Sequence, residues 1–130
     1  MRLMFHPPTA MVDVSSDRAG LSRLASLVAS GDGTLPAEEG ASPYGEIALT
    51  RVTVRTADGL VLLTADAGGR TLTISGDREH LGVLADVLED MAASTDGGHV
   101  HIEHYPDHPY LEEGSAPMVV NSPLGGMPRR

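Results

Sequence analysis

Hydrophobic positions recur with helical spacing in two segments of the chain. The two sets are Leu21, Leu24, Ala25 and Val28, and Leu81, Leu84, Ala85 and Leu88. Apolar residues at positions i, i+3, i+4 and i+7 form one stripe along an α-helix, and such a stripe is normally buried. Asp17 and Asp77 stand in polar clusters just before the two segments, where they favour a helix start. The pattern therefore predicts two amphipathic helices.

The residues around the two helices repeat at the same offset. Residues 14–25 align without gaps on residues 74–85, and six of the twelve positions are identical. Each aligned segment begins with an alternating strand pattern, which has Val12 and Val14 in the first copy and Leu72 and Ile74 in the second. The sequence therefore predicts two copies of one β-α-β-β unit, over about residues 10–66 and 70–121.

The remaining segments alternate between strand patterns and loop compositions. Residues 32–45 are rich in Gly, Pro, Ser and Glu and predict a mobile loop. The order β-α-β-β-β-α-β-β predicts an α+β fold, a two-layer sandwich with two helices on one face of a largely antiparallel six-stranded sheet. Residues 1–121 would form a single domain, and residues 122–130 a disordered tail. The further strands are predicted at about residues 46–55, 60–65, 71–75, 99–104 and 118–120.

The second face of this sheet would remain open and would carry polar side chains. Strand alternation places them together, because every second residue of a strand points to the same side. We interpret this open face as the first candidate for a binding surface, either for a partner or for a second copy in a homodimer. The residues are Arg51, Thr53, Arg55, Thr71, Thr73, His99, His101 and Glu103.

Four of the six histidines lie within one ten-residue segment, which suggests metal binding as an alternative function. On a strand, His99 and His101 would project to the same side about 7 Å apart, close enough to share a zinc ion. Glu103, Asp107 or His108 would supply a third ligand. An ordinary half-buried strand would also carry such exposed polar residues without any metal. Zinc bound by His99, His101 and His108 is therefore kept as the alternative, and the leading prediction has no cofactor.

Aromatic and acidic residues follow in the segment 105–115. Pro106 and Pro109 restrict its backbone, and the combination of tyrosines with carboxylates is typical of protein interfaces. Alternatively, Tyr105, Tyr110 and Leu111 cap the open end of a small core. The predicted partner-binding residues of the face and the segment are Arg51, Arg55, His99, His101, Glu103, Tyr105, Asp107, His108, Tyr110, Glu112 and Glu113.

Composition and charge argue against several classes of function. The chain of 130 residues has a net charge of −9, so nucleic acids and anionic membranes would be repelled, whereas a basic protein partner would be attracted. It contains no cysteine, no apolar segment of membrane-spanning length and no secretory signal pattern, so we expect a cytoplasmic protein. Neither a nucleophile elbow nor a phosphate-binding loop is present, which predicts a protein that is not an enzyme.

The second half of the chain also carries a family resemblance. It rests on the sequence HVHIE at residues 99–103, YLEEGS at residues 110–115, the apolar strand at residues 118–120, and residues 72–76 and 81–86. Over about residues 70–121 the chain resembles immunity protein 32, a family of bacterial polymorphic-toxin systems. The resemblance implies a stoichiometric inhibitor that occludes a cognate protein toxin and has no catalytic residues.

Overall fold

The computed structural model describes residues 1–40, 42 and 44–126. Its mixture of two helices and several strands confirms the predicted α+β class. No helix in this part of the chain is long and apolar enough to cross a membrane. The helices are α1 (Arg18–Ser30) and α2 (Arg78–Ala92), and the strands are β1 (Arg2–His6), β2 (Met11–Ser15), β3 (Asp32–Pro36), β4 (Ile47–Leu49), β5 (Arg51–Thr56), β6 (Leu62–Asp66), β7 (Thr71–Gly76), β8 (His99–Ile102) and β9 (Met118–Asn121).

Both helices begin where their sequence predicts. The carboxylate of Asp17 accepts a hydrogen bond from the Gly20 backbone N–H at 2.8 Å, and that of Asp77 accepts one from the His80 N–H at 2.8 Å. These bonds satisfy donors that the first helical turn leaves free. The residues predicted for the two stripes are all buried, together with Ala92 at the end of α2. The helix predictions are therefore confirmed.

The predicted single six-stranded sheet is wrong, because the strands form two sheets. The five-stranded sheet has the order β4-β1-β2-β9-β8, and the four-stranded sheet has the order β3-β5-β7-β6. The strand predicted at 46–55 divides at Thr50, so β4 pairs with β1 while β5 pairs with β3 and β7. Pairing is largely antiparallel, with parallel pairs only between β2 and β9 and between β5 and β7 among the described strands.

Part of the predicted loop at 32–45 is instead the edge strand β3. It pairs antiparallel with β5 and places Leu35 opposite Val52. Gly33 and Pro36 gave this segment a loop composition, although a proline at the end of an edge strand interrupts no ladder. Gly33 has a φ of 144°, and a Cβ there would stand 2.6 Å from a side-chain carbon of Leu27. Residues 41 and 43 of the predicted loop lie outside the described residues.

Each helix follows a β-hairpin and precedes a strand of the other sheet. Hairpin β1–β2 leads into α1 and then to β3 in the four-stranded sheet, whereas hairpin β6–β7 leads into α2 and then to β8 in the five-stranded sheet. The β-α-β-β repeat unit predicted from the sequence did not include β1. The two hairpin strands and the helix of the second set begin 60 residues after those of the first (Arg2 and Leu62, Met11 and Thr71, Arg18 and Arg78), whereas β3 begins at Asp32 and β8 at His99, a larger offset.

One cluster of buried side chains draws on both helices and on the inner faces of both sheets. Its side chains are aliphatic except for Met118 and Tyr110. Beyond β9, residues 122–126 of the predicted tail contact the segment that precedes β8. Ser122 is buried, its hydroxyl donates to the Asp96 carbonyl at 2.6 Å, and the Gly98 N–H donates to the Gly125 carbonyl at 2.9 Å. Residues 127–130 lie outside the described residues.

Candidate functional site

The predicted open face is divided between the outer faces of the two sheets. Arg51 and Arg55 lie on β5 of the four-stranded sheet, whereas His99 and His101 lie on β8 of the five-stranded sheet. The prediction that these side chains share one face is therefore wrong. It followed from treating all strands as members of one sheet.

The outer face of the four-stranded sheet presents hydroxyl groups and two exposed arginines. One row crosses all four strands and consists of Thr34, Thr53, Thr73 and Thr64. The Arg51 Nε donates to the Thr71 hydroxyl at 3.4 Å, so this guanidinium lies along the sheet surface. The face is polar, and its charged groups include Asp32 opposite Arg55 and Asp66 opposite Thr71 as well as the two arginines.

The outer face of the five-stranded sheet contains a cavity of about 420 Å³. Asp13 on β2, Val119 on β9 and His101 on β8 stand next to one another in register along one side of it, and Met11, Pro117 and Val119 form an apolar floor. Residues one position beyond the paired strand ends complete the walls. The lining residues are His6, Thr9, Met11, Asp13, Glu46, His101, Glu103, Pro117, Met118 and Val119. We refer to this feature as the sheet cavity.

Three carboxylates line the sheet cavity, and no arginine does. Asp13 accepts hydrogen bonds from the Asn121 Nδ2 at 2.8 Å and from the Ser15 hydroxyl at 3.3 Å, while Glu46 accepts one from the Ser42 hydroxyl at 3.2 Å. Within residues 1–40, 42 and 44–126, none of the three carboxylates forms an ion pair. The cavity therefore combines negative charge with an apolar floor.

The two histidines of β8 stand close together, as strand alternation predicts. The ring centroids of His99 and His101 are 4.9 Å apart, with the rings edge to face. The His99 Nδ1 lies 2.7 Å from the Gly126 carbonyl, to which it donates a hydrogen bond. In the described part of the chain, no group of three or more His, Asp or Glu side chains is arranged to hold a metal ion. The geometry gives no support to the zinc alternative with His108.

The segment 105–115, here called the aromatic loop, is organised around His108. The ring of His108 packs 4.5 Å from that of Tyr105 and 4.6 Å from that of Tyr110. Its Nδ1 accepts hydrogen bonds from the backbone N–H groups of Leu111 at 3.0 Å and Tyr110 at 3.3 Å. Burial, and secondarily the nearby His104, lower the pKa of His108 below its ordinary value of 6.5. His108 therefore stabilises the loop in its neutral form.

The end of the aromatic loop is attached to the outer edge of β6. The Val61 N–H donates to the Tyr110 carbonyl and the Glu112 N–H to the Val61 carbonyl, both at 2.8 Å. The Leu63 N–H donates to the Ser115 hydroxyl at 3.1 Å. Such contacts cover a sheet edge that would otherwise expose unpaired backbone groups. The loop is thus held against the four-stranded sheet.

This attachment divides the predicted loop residues into buried and accessible ones. Tyr110 is only 8% exposed and Leu111 is fully buried, so these two cap the core, as the alternative interpretation proposed. Burial, and secondarily Tyr105, raise the pKa of Tyr110 above 10.0. Tyr105 is 54% exposed, and Asp107, Glu112 and Glu113 are also exposed. These four side chains remain accessible to a partner.

Four polar residues of the sheet cavity were not predicted from the sequence: His6, Thr9, Asp13 and Glu46. Asp13 had a local signal, because Val12 and Val14 point inward and the residue between them must point outward. His6 and Glu46 had none, since β1 was not predicted and β4 was joined to β5. Long-range strand pairing brings these side chains together.

One segment of the chain matches the model of a known protein family. The family model of immunity protein 32 matches residues 71–123, which confirms the resemblance over that segment. The match includes β7, α2, β8, the aromatic loop and β9, and therefore His101 and Glu103 of the sheet cavity. No curated protein and no solved structure matches the chain.

Proposed function

We propose that this chain is a non-enzymatic inhibitor that binds a cognate protein toxin and blocks it by stoichiometric occlusion. The observation that carries the proposal is the match of residues 71–123 to the immunity protein 32 family. The matched segment supplies one wall of the sheet cavity and all of the aromatic loop. As part of the same proposal, the protein acts in the cytoplasm of the bacterium that makes the toxin.

The accessible chemistry of the matched segment supports a binding function. Tyr105 is a large, exposed aromatic side chain next to carboxylates, and tyrosine is enriched among the residues that dominate interface energies. The net charge of −9 would attract a basic partner and speed its encounter with the inhibitor. We therefore expect a basic toxin surface to cover the aromatic loop and the sheet cavity.

The direct test is co-expression with the toxin encoded beside this gene in its genome. We expect cells that carry both proteins to grow and cells that carry the toxin alone to die. The two proteins should co-elute as a complex of equal stoichiometry, measured by light scattering. Killing that continues despite soluble expression of this chain would contradict the proposed function.

A pair of tyrosine variants tests where the toxin binds. Tyr105→Ala should weaken the complex by at least about tenfold, which corresponds to the loss of an aromatic contact at an interface. Tyr44→Ala is the matched control, because Tyr44 is 84% exposed and lies outside the matched segment. Equal affinities of the two variants for the toxin would show that the aromatic loop is not part of the interface.

A further inference from the structure

We infer that the sheet cavity receives a basic side chain, with arginine favoured, from the partner protein. This inference deepens the proposed function and rests on it for the partner being a protein. It assigns the partner's contact to Asp13 at the centre, with Glu46 and Glu103 adding negative charge at the two sides.

The position of the carboxylates favours a cation. In the order β4-β1-β2-β9-β8, Asp13 lies on the middle strand, whereas Glu46 precedes β4 and Glu103 follows β8 at the two edges. Two strand spacings, roughly 10 Å, therefore separate the strand of Asp13 from each edge strand. This is about the Debye length at 0.1 M salt, so a cation near Asp13 is attracted by all three carboxylates, whereas roughly 20 Å separates the two edge strands and one side chain cannot pair with both glutamates.

The floor favours a long side chain over a free ion. Met11, Pro117 and Val119 lie between the carboxylates, and Val119 is only 7% exposed. Arginine and lysine bury their methylene groups on such apolar surfaces while the charged end reaches polar groups at the rim. A guanidinium group also has five donors arranged to pair with carboxylates, which an ammonium group lacks. In the described residues, no three ligands are arranged for a metal ion.

No arginine of the described residues lines the cavity, and the basic side chains in its lining are His6 and His101. The seven arginines of the described residues lie elsewhere: Arg2 lies near Glu38 and Glu39, Arg18, Arg23 and Arg78 lie in the helices, Arg51 and Arg55 lie on β5, and Arg70 lies between β6 and β7. None of them lines the cavity. The carboxylates therefore have charge that an intermolecular partner can neutralise, and the size of about 420 Å³ is within the range of ligand pockets.

The test is an NMR titration of the full chain with two blocked pentapeptides that differ only at the central residue. One peptide has arginine there and the other has citrulline, which keeps the shape of the side chain and removes its charge. We expect the arginine peptide to shift the amide signals of β2, β8 and β9 around the cavity. The citrulline peptide should bind at least about fivefold more weakly, and added salt should reduce the difference.

Three variants locate the binding site. Glu103→Gln and Asp13→Asn should each weaken binding of the arginine peptide, whereas Glu112→Gln, which removes the same charge from the aromatic loop, should leave it unchanged. Asparagine at position 13 keeps an oxygen that can accept from Asn121, so the sheet is retained. Equal weakening by Glu103→Gln and Glu112→Gln, equal binding of both peptides, or shifts only outside the cavity would each overturn the inference.

The same variants separate this inference from the proposed function. If Asp13→Asn and Glu103→Gln inhibit the neighbouring toxin as well as the wild type does, the inference is overturned and the inhibitor function stands. If the arginine peptide binds in the cavity but the toxin is not inhibited, the site is supported and the proposed function fails.

Discussion

At the scale of single residues, His108 shows how one side chain holds the aromatic loop in place. Its Nδ1 accepts two backbone hydrogen bonds, so a proton on that atom would remove both. Its ring also separates the exposed Tyr105 from the buried Tyr110, in contact with each. The accessible part of the aromatic loop is thus joined to the core through a histidine that must stay neutral.

This arrangement predicts a dependence of stability on pH. Because the folded-state pKa of His108 lies below 6.5, the unfolded chain takes up a proton at a higher pH than the folded chain does. The free energy of unfolding should therefore fall as the pH decreases from about 6.5 towards the lower folded-state pKa. His108→Asn, which keeps an acceptor but does not titrate, should lose less stability over this range.

Urea unfolding between about pH 7.5 and pH 5 measures the effect. His6→Asn is the control, because it changes a histidine outside the aromatic loop and leaves His108 in place. An identical loss of stability in the wild type and in His108→Asn would contradict this role of His108.

At the scale of elements, local patterns predicted both helices and the positions of most strands, but not how the strands pair. Helical spacing and the caps Asp17 and Asp77 depend only on residues close in sequence, and the structure contains both helices as expected. Strand partners are distant in sequence, so the pattern of residues 46–55 could not reveal that its two ends join different sheets. The composition of residues 32–36 also concealed β3, since Gly and Pro are typical of loops.

Replacing either of two glycines in neighbouring elements by alanine should change the free energy of unfolding, with opposite signs. Gly82 lies within α2, where an added Cβ would meet no atom within 4 Å, so Gly82→Ala should raise the free energy of unfolding by about 0.5–1 kcal/mol. Gly76 ends β7, where a Cβ would stand 3.0 Å from the Val61 Cα and 3.2 Å from the Leu60 carbonyl oxygen. Gly76→Ala should therefore lower the free energy of unfolding by about 1–3 kcal/mol.

Both variants are measured by urea unfolding with the wild type as reference. The backbone neighbours of Gly76 cannot rotate away as a flexible side chain would, which is why the two signs differ. A stabilised Gly76→Ala variant would show that the β6–β7 hairpin adapts to the additional methyl group.

At the scale of the whole molecule, charge and topology act together. The net charge of −9 was evident from the sequence, but the place where carboxylates surround an apolar floor was not. The sheet cavity needs residues from both ends of the chain, because β2 near the start pairs in parallel with β9 near the end. Such a site could be found only after the strand order was known.

If the protein binds a toxin as proposed, its net charge and its contacts in the cavity should affect different rate constants of binding. Asp86 and Asp90 are exposed on α2 outside the cavity, so Asp86→Asn with Asp90→Asn should slow association without changing dissociation. Asp13→Asn removes a contact in the cavity and should mainly speed dissociation. Stopped-flow mixing with the toxin, from about 0.02 M to 0.5 M salt, should show association slowing as salt screens the attraction. Association that is independent of salt would contradict electrostatic steering, and faster dissociation of the α2 double variant would show that α2 itself contacts the toxin.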